Sequence, residues 1–423
     1  MSDVLKIGTT TLNLNREGTH EYTKISYPLR TGVYSEIELP DLVLQFNLNH
    51  EIIRAAGRGR TWLHPSEWLK RSRGNDWVYY STGGYTGVFE ATGEYYLPNL
   101  QYPTNALMGG KPFQEKAVSI ILETWHDRIL EVLDQHRTDL PDRFLHFLCQ
   151  AAENSPSKLQ EKADTLFSIC GGRATVMPPD ARHVDYDIIP LTVSRGCLYK
   201  CRFCRIKSDK PFSTLTEPEI KDQISRLKHL YGNDLANYNS VFLGEHDALN
   251  APADVILKAV SQALFSFDFA NANIRGSNVF MFGSVDSLLN AAPRLFEELD
   301  RMPLKTYINI GLESADQETL DRLGKPITSD QVHRAFYLIQ EINQRFDRIE
   351  ITANFIMDDN LPPGHYPAFL DLVRDSVPRP RTKGCVYLSP LRINNPSREV
   401  MFDFNRLKTL SRVPTFLYII QRL

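Results

Sequence analysis

The strongest constraint on the fold is a regular alternation of short apolar runs with helical stretches, which begins near residue 186. The runs are rich in β-branched and aromatic residues: IIPLTVS (188–194), NSVFLG (239–244), NVFMFG (278–283), TYINIGL (306–312), RIEITANFIM (348–357) and CVYLSPL (385–391). Strands separated by helices pair in parallel through right-handed crossovers. Six such units predict an α/β fold with a partial (βα)6 TIM-like barrel over residues 186–392. Ligands bind at the carboxyl ends of the strands in such folds.

The first 180 residues lack this alternation and indicate a separate N-terminal domain of mixed α+β structure. The stretch 77–102 interleaves eight aromatic residues with four glycines, a pattern typical of strands, turns and loops. Residues 115–136 carry apolar side chains at helical spacing and predict an amphipathic helix, and further helices are expected over 141–168. Nothing in this domain indicates a known role, and we expect it to cap the barrel mouth over the substrate.

Two further segments complete the predicted organisation. VMPPDARH (176–183) reads as a linker between the domains. Residues 393–423 are predicted to form a helical C-terminal tail, whose apolar end, PTFLYIIQRL, is expected to be helical and to pack onto the barrel.

Composition and charge exclude several classes of protein. With 42% hydrophobic and 23% charged residues the chain reads as an ordinary globular protein, and a net charge of −3 creates no overall attraction for nucleic acid. The chain contains no run of 18 apolar residues, so the sequence predicts no membrane span. The start of the chain lacks a signal-peptide pattern. Cys149, Cys170 and Cys385 are scattered singly, which is typical of a protein of the reducing cytoplasm.

Three cysteines stand together in SRGCLYKCRFCRIK (194–207), in the pattern Cys-x3-Cys-x2-Cys: Cys197, Cys201 and Cys204. A structural zinc ion is usually bound by four protein ligands. The nearest candidates for a fourth ligand are His183 and His229, and neither stands at the spacing of a zinc ribbon. Ferredoxin-type clusters need four cysteines. Three thiolates holding an iron–sulfur cubane leave one iron open to a substrate or cofactor. Structural zinc and a simple redox cluster stay open as alternatives.

This loop, placed directly after the first strand of a repeated strand–helix domain, resembles that of the radical S-adenosylmethionine (radical SAM) superfamily. The resemblance covers about residues 186–392. It implies a [4Fe-4S] cluster on Cys197, Cys201 and Cys204 whose open iron chelates the amino and carboxylate groups of SAM. It also implies reductive cleavage of SAM to methionine and a 5′-deoxyadenosyl radical, in an oxygen-sensitive enzyme.

The resemblance extends to other positions of the SAM site. Phe203 stands where the family places an aromatic residue near the adenine, and Gly244 and Glu245 match the segment that holds the SAM amino group. Residues 308–328 resemble the Gly-x-Glu-Ser segment of the branch with oxygen-independent coproporphyrinogen oxidases, methylthiotransferases and Elongator-type enzymes. In that branch the matching residues contact the ribose, methionine and carboxylate of SAM; here they are Glu313, Ser314 and Lys325.

The substrate is not identified by the sequence, and we expect a small molecule together with a flavodoxin- or ferredoxin-like electron donor. RNA modification is the alternative, because RAAGRGR (54–60) and KRSRG (70–74) stand close to Trp62, Trp68 and Trp77. The acidic chain disfavours nucleic acid, and these tryptophans are expected in the core. Cys385 could donate hydrogen to a substrate radical, although a buried, inert thiol is the simpler interpretation.

Overall fold

The computed structural model describes residues 3–21, 31–62, 65, 67–81, 112–172, 188–204, 211–391 and 398–417. The predicted linker at 176–183 and most of the aromatic stretch 77–102 lie outside these residues.

The first domain is built on an antiparallel sheet whose seven described strands pair in chain order. They are β1 (Asp3–Ile7), β2 (Thr10–Glu17), β3 (Val33–Glu38), β4 (Leu42–Phe46), β5 (Ile52–Gly57), β6 (Glu67–Arg71) and β7 (Trp77–Ser81). Three helices follow: α1 (Lys116–His136), α2 (Asp142–Glu153) and α3 (Pro156–Cys170). Val118, Trp125 and Ile129 recur on one face of α1 and share a hydrophobic core with the sheet. The mixed α+β composition and the helix at 115–136 are thus confirmed.

The second domain is a parallel sheet whose neighbours also follow chain order. Its strands are β8 (Ile189–Thr192), β9 (Ser240–Gly244), β10 (Asn278–Gly283), β11 (Lys305–Glu313), β12 (Ile349–Met357), β13 (Val386–Pro390) and β14 (Thr415–Leu417). Because consecutive parallel strands are neighbours, right-handed crossovers place the connecting helices on one side of the sheet, as in a barrel. The α/β fold with a partial TIM-like barrel is confirmed.

Helices connect these strands where the sequence predicts them. They are α4 (Glu217–Tyr231), α5 (Ala253–Ser266), α6 (Val285–Leu289), α7 (Pro293–Arg301), α8 (Gln317–Leu323), α9 (Ser329–Arg345), α10 (His365–Leu370) and α11 (Arg398–Leu410). Capping boxes begin α4 at Thr216 and α9 at Thr328, since each side chain accepts a hydrogen bond from the backbone three residues on.

The C-terminal segment corrects one expectation. The helical prediction for PTFLYIIQRL is wrong over Thr415–Leu417, which forms a seventh strand paired in parallel with Val386–Leu388. The only helix described in the predicted tail is Arg398–Leu410. An edge strand adds ladder hydrogen bonds and buries Leu417 completely, and an apolar run of this length suits either structure.

The two faces of the parallel sheet have different neighbours, because successive side chains of a strand point to opposite faces. Ile308, Ile310 and Ile351 belong to the core shared with the helices. The opposite face carries Phe280 and Tyr307, whose rings stack with centroids 5.0 Å apart. This second face is the concave interior of the partial barrel.

The described part of the first domain meets the second at the amino ends of the parallel strands. The Asn237 side chain bonds the backbone N–H and C=O of Val33, and Asp234 accepts from the N–H of Leu48. Asp234 and Asn237 lie in the turn that leads into β9. The predicted cap over the opposite, carboxyl end is not seen among these contacts and stays a prediction for the rest of the domain.

None of the helices in the described ranges has the length and apolar character needed to cross a membrane.

Candidate active site

The cysteine loop leaves the carboxyl end of β8 and is held at its start by the neighbouring strand. Gly196 has a φ of +76°, a left-handed conformation that favours glycine. Its N–H donates to Oε2 of Glu245 over 3.1 Å, so the residue that follows β9 fixes the backbone directly before Cys197.

The middle of the loop is held by two further elements. The N–H of Arg202 donates to the carbonyl of Leu323 over 2.9 Å, and its guanidinium donates to the carbonyl of Asp321 over 3.0 Å. The N–H of Asp286 donates to the Tyr199 hydroxyl over 3.0 Å. The ends of α8 and α6 therefore set the position of the residues between the cysteines.

The three thiols lie close enough to one another for their charges to interact. The pKa of Cys201 is raised to about 11, chiefly by burial; Lys325 opposes the rise, while Glu313, Cys204 and Cys197 add to it. Burial also raises the pKa of Cys197. The N–H of Tyr199 donates to the Sγ of Cys197 over 3.4 Å, and this hydrogen bond partly opposes the rise. The thiols of Cys197 and Cys201 are therefore neutral at pH 7, and their binding to a metal centre as thiolates releases protons.

In the described ranges, no group of three or more His, Cys, Asp or Glu side chains is placed so that it could hold a metal ion. Each thiolate of a cubane binds a different iron, so a cluster requires a wider arrangement of sulfurs than a single ion does. Soft thiols on one loop, coupled to each other and facing a buried cation, are a donor set that fits an iron–sulfur cluster.

The buried cation is Lys325, which lies between the loop and β11. Its ammonium is 3.4 Å from Oε1 of Glu313 and 5.3 Å from the centroid of the Tyr199 ring. Burial raises the pKa of Glu313, and Lys325 opposes that rise. Glu313 itself has a φ of +67°, which turns its side chain out of the regular strand. The structure thus brings Glu313 and Lys325 together beside the cysteines.

Ser314 is turned away from this group. It is fully buried, and its hydroxyl lies 2.8 Å from Nδ1 of His365, while Nε2 of His365 lies 3.0 Å from the carbonyl of Ile356. A carbonyl only accepts, so Nε2 carries the hydrogen and Nδ1 accepts from Ser314. The Ser314 oxygen also accepts from the N–H of Asp316. The hydrogen of the hydroxyl and one of its two lone pairs are therefore used within the protein.

The remaining predicted residues lie at the same end of the sheet. Gly244 ends β9, and its carbonyl accepts from the N–H of Val193, which ties the first two strands together before the loop begins. Phe203 is half-buried and packs against the core of the second domain. Of the basic residues around the cysteines, Arg205, Lys207 and Lys210 lie outside the described residues.

Sequence reasoning missed three residues of this region: Tyr199, Asp247 and His365. Tyr199 stands between the motif cysteines, so its spacing could have marked it. Asp247 is fully buried, and burial raises the pKa of its carboxyl against hydrogen bonds from Ser287 and Ser284. Neither Asp247 nor His365 carries a signal in the sequence, because their roles depend on partners far along the chain.

Most of the basic and aromatic stretch of the first domain faces inward, while Arg58 and Arg60 are exposed. Trp62 and Trp68 are buried in its core, and Arg54, Lys70 and Arg71 are buried as well. Side chains that are not at the surface offer no stacking platform or phosphate contact. The expectation that Trp62 and Trp68 belong to the core is confirmed.

Cys385 lies at the amino end of β13, at the opposite end of the sheet from the cysteine loop. It is buried and belongs with Tyr387 to the hydrophobic core of the first domain. This position favours the interpretation as a structural thiol.

Comparison with known proteins gives a match over the second domain. Residues 191–357 match the model of the family described as the radical SAM superfamily. No curated protein sequence matches the chain at a significant level.

Similar solved structures include three with low sequence identity. One is the cobalamin-dependent S-adenosylmethionine radical enzyme OxsB with aqua-cobalamin bound, at 20% identity, 51% of this chain, 29% of that chain and a TM-score of 0.34. Another is a radical SAM methyltransferase from Sphaerobacter thermophilus, at 14% identity, 58% of this chain, 68% of that chain and a TM-score of 0.35. The third is Streptococcus suis SuiB, at 11% identity, 84% of this chain, 71% of that chain and a TM-score of 0.36. The matched part of this chain spans under a third of OxsB.

Proposed function

Since this chain belongs to the radical SAM superfamily through residues 191–357, we propose that it is an enzyme that holds a [4Fe-4S] cluster on Cys197, Cys201 and Cys204 and cleaves SAM reductively. The chemistry that this pair of cofactors supplies when bound is one-electron cleavage of the sulfonium to methionine and a 5′-deoxyadenosyl radical that takes hydrogen from the substrate. The observation that carries the proposal is the cysteine loop, whose backbone is held by Glu245 and Leu323. The N–H of Asp286 also holds the hydroxyl of Tyr199, which stands between the cysteines.

The protein's own contribution is to position and to balance charge. The contacts with Glu245 and Leu323 hold the backbone at Gly196 and Arg202 at the carboxyl ends of the strands, so this part of the loop is ordered before a cluster is loaded. Lys325, held by Glu313 and the Tyr199 ring, places positive charge beside the thiols, where it stabilises thiolate. The same ammonium is suited to the carboxylate of SAM. Phe203 and the backbone of Gly244 complete the proposed SAM site.

The substrate is proposed to be a small molecule, bound between the SAM site and the concave face of the sheet. The electron is proposed to come from a flavodoxin- or ferredoxin-like donor. We place the enzyme in the cytoplasm, because loop thiols that must bind an oxygen-sensitive cluster need a reducing compartment.

Anaerobic reconstitution with iron and sulfide tests the proposal. The loaded protein should be brown and should convert SAM to 5′-deoxyadenosine and methionine when a strong reductant is added. A colourless protein that retains zinc in place of iron would contradict the proposal, and so would a fully loaded protein that forms no 5′-deoxyadenosine.

A further inference from the structure

A carboxylate oxygen without a partner lies buried beside the cysteine loop. It is Oδ2 of Asp247, a side chain with 0% exposure. The other oxygen, Oδ1, accepts from the N–H of Ser284 over 2.9 Å and from the hydroxyl of Ser287 over 2.8 Å. Within the described part of the chain, Oδ2 makes no hydrogen bond. A buried acceptor left unpaired is costly, and such a group is typical of a site that receives a donor from a ligand.

The position of Asp247 indicates which ligand. The residue lies three positions beyond Gly244, at the end of the sheet from which the cysteine loop also leaves. Its charge is close enough to Cys197 to raise the pKa of that thiol, and Lys325 lies close enough to act on Asp247 in turn. The capping of α6 through Ser284 and Ser287 holds Oδ1, and thereby fixes the direction of Oδ2. A molecule bound beside the cysteines would be close enough to Asp247 to supply the donor that this oxygen lacks.

The resemblance assigns Glu245 to the SAM amino group, but the Glu245 side chain already accepts a hydrogen bond within the protein. Its Oε2 accepts from the N–H of Gly196 over 3.1 Å and lies 3.7 Å from Nε2 of His246. The Glu245 side chain is 37% exposed. A hydrogen bond to a dry carboxylate oxygen is stronger than one to an oxygen that water also reaches, so Asp247 is the better acceptor.

We propose that Oδ2 of Asp247 accepts a hydrogen bond from the amino group of SAM, and that Glu245 fixes the start of the cysteine loop instead. This inference rests on the proposed function. It adds a SAM-binding residue outside the segment that the resemblance identifies.

The test measures binding to the reconstituted protein, with SAM and with a SAM analogue whose amino group is replaced by hydrogen. Asp247→Asn keeps an oxygen for Ser284 and Ser287 and places an NH2 donor where Oδ2 was. This variant should reduce the preference for SAM over the analogue by about tenfold or more, because only SAM loses a hydrogen bond. Asp254→Asn, the same change at an exposed carboxylate of α5, should leave the preference within about twofold.

Measuring the same preference in Glu245→Gln gives a second test, which does not depend on whether the Asp247 variant folds. Glutamine still accepts from Gly196, so the preference for SAM should be retained. Collapse of the preference in Glu245→Gln would assign the amino group to Glu245 and overturn the inference. An equal loss of both ligands in Asp247→Asn, or no loss, would overturn it as well. Wild-type protein that carries the cluster and binds no SAM would instead overturn the proposed function.

Discussion

Each domain buries a carboxylate, Glu51 in the first and Asp247 in the second, and the two differ in how completely they are paired. In the first domain Glu51 contacts Arg73 and Lys162, and Arg73 also binds Asp234 of the second domain. At the opposite end of the parallel sheet, Asp247 keeps an oxygen without a partner in the described residues. Complete pairing suits a scaffold that holds two domains in one arrangement. Incomplete pairing is typical of a site that awaits a ligand.

The largest expected effect on activity comes from replacing cysteines, because the substitutions distinguish thiols that bind the cluster from thiols that only pack. Cys201→Ala should abolish formation of 5′-deoxyadenosine, with at least about a hundredfold loss, because two thiolates do not retain a cubane. Cys149→Ala, a thiol on α2 of the first domain, should keep activity within about twofold. The measurement is 5′-deoxyadenosine per iron-loaded chain. Retained turnover in Cys201→Ala, and likewise in Cys197→Ala and Cys204→Ala, would refute the ligand assignment.

The next largest effect is a loss of stability when the ion pairs between the two domains are broken. Arg73→Met should destabilise the protein by about 3–5 kcal/mol, because it leaves the buried carboxylates of Glu51 and Asp234 without their shared cation. The shift of the urea midpoint measures it. Arg143→Ala breaks an exposed pair with Asp3 and should cost about 0.5 kcal/mol or less. A variant of normal stability that no longer binds SAM would show that Arg73 serves the site.

The dependence of stability on pH should follow Glu51. Burial alone would raise its pKa, but the charges of Arg73, Lys162 and Arg71 hold the pKa at about 2, below the ordinary value of 4.5. Since the unfolded state binds the proton more tightly, Glu51 stabilises the fold above pH 4.5, and this contribution is lost as pH falls toward 2. It amounts to about 3 kcal/mol. The difference in unfolding free energy between wild type and Glu51→Gln should shrink over that interval. A constant difference would contradict the paired arrangement.

The smallest effect concerns Ser314. Ser314→Ala leaves Nδ1 of His365 without its donor, which should lower stability by about 1–3 kcal/mol. Affinity for SAM should change by less than about twofold, because the hydroxyl is fully buried and already donates its hydrogen to His365. A variant of normal stability with tenfold weaker SAM binding would restore Ser314 as a SAM contact. Chemical denaturation and equilibrium binding on the same preparation decide between these outcomes.

The sequence predicts the second domain better than the first, for a physical reason. Each strand–helix unit from Ile189 to Pro390 carries its own periodic pattern, and consecutive units become neighbours. The strand Thr415–Leu417 escaped prediction because its apolar run suits a helix equally, and only pairing with Val386–Leu388 decides. In the first domain, the inward position of Lys70 and Arg71 depends on partners that no local pattern reveals.

The candidate site likewise contains residues that a local sequence pattern identifies and residues that depend on distant partners. Cys197, Cys201 and Cys204 could be identified as candidate ligands because that inference needs only their spacing within one loop. The pairing of Ser314 with His365 joins residues 51 positions apart, and Glu313 meets Lys325 across a helix. Asp247 is the extreme case, since the property that distinguishes it is a missing partner, which exists only in the folded chain.

The central claim is that the cysteine loop holds a cluster with an iron open to SAM. Electron paramagnetic resonance of the reduced, reconstituted protein with and without SAM tests it most directly. The account predicts that addition of SAM changes the spectrum of the cluster in wild type. A spectrum that SAM leaves unchanged at saturating concentration would contradict the account and indicate a closed redox cluster.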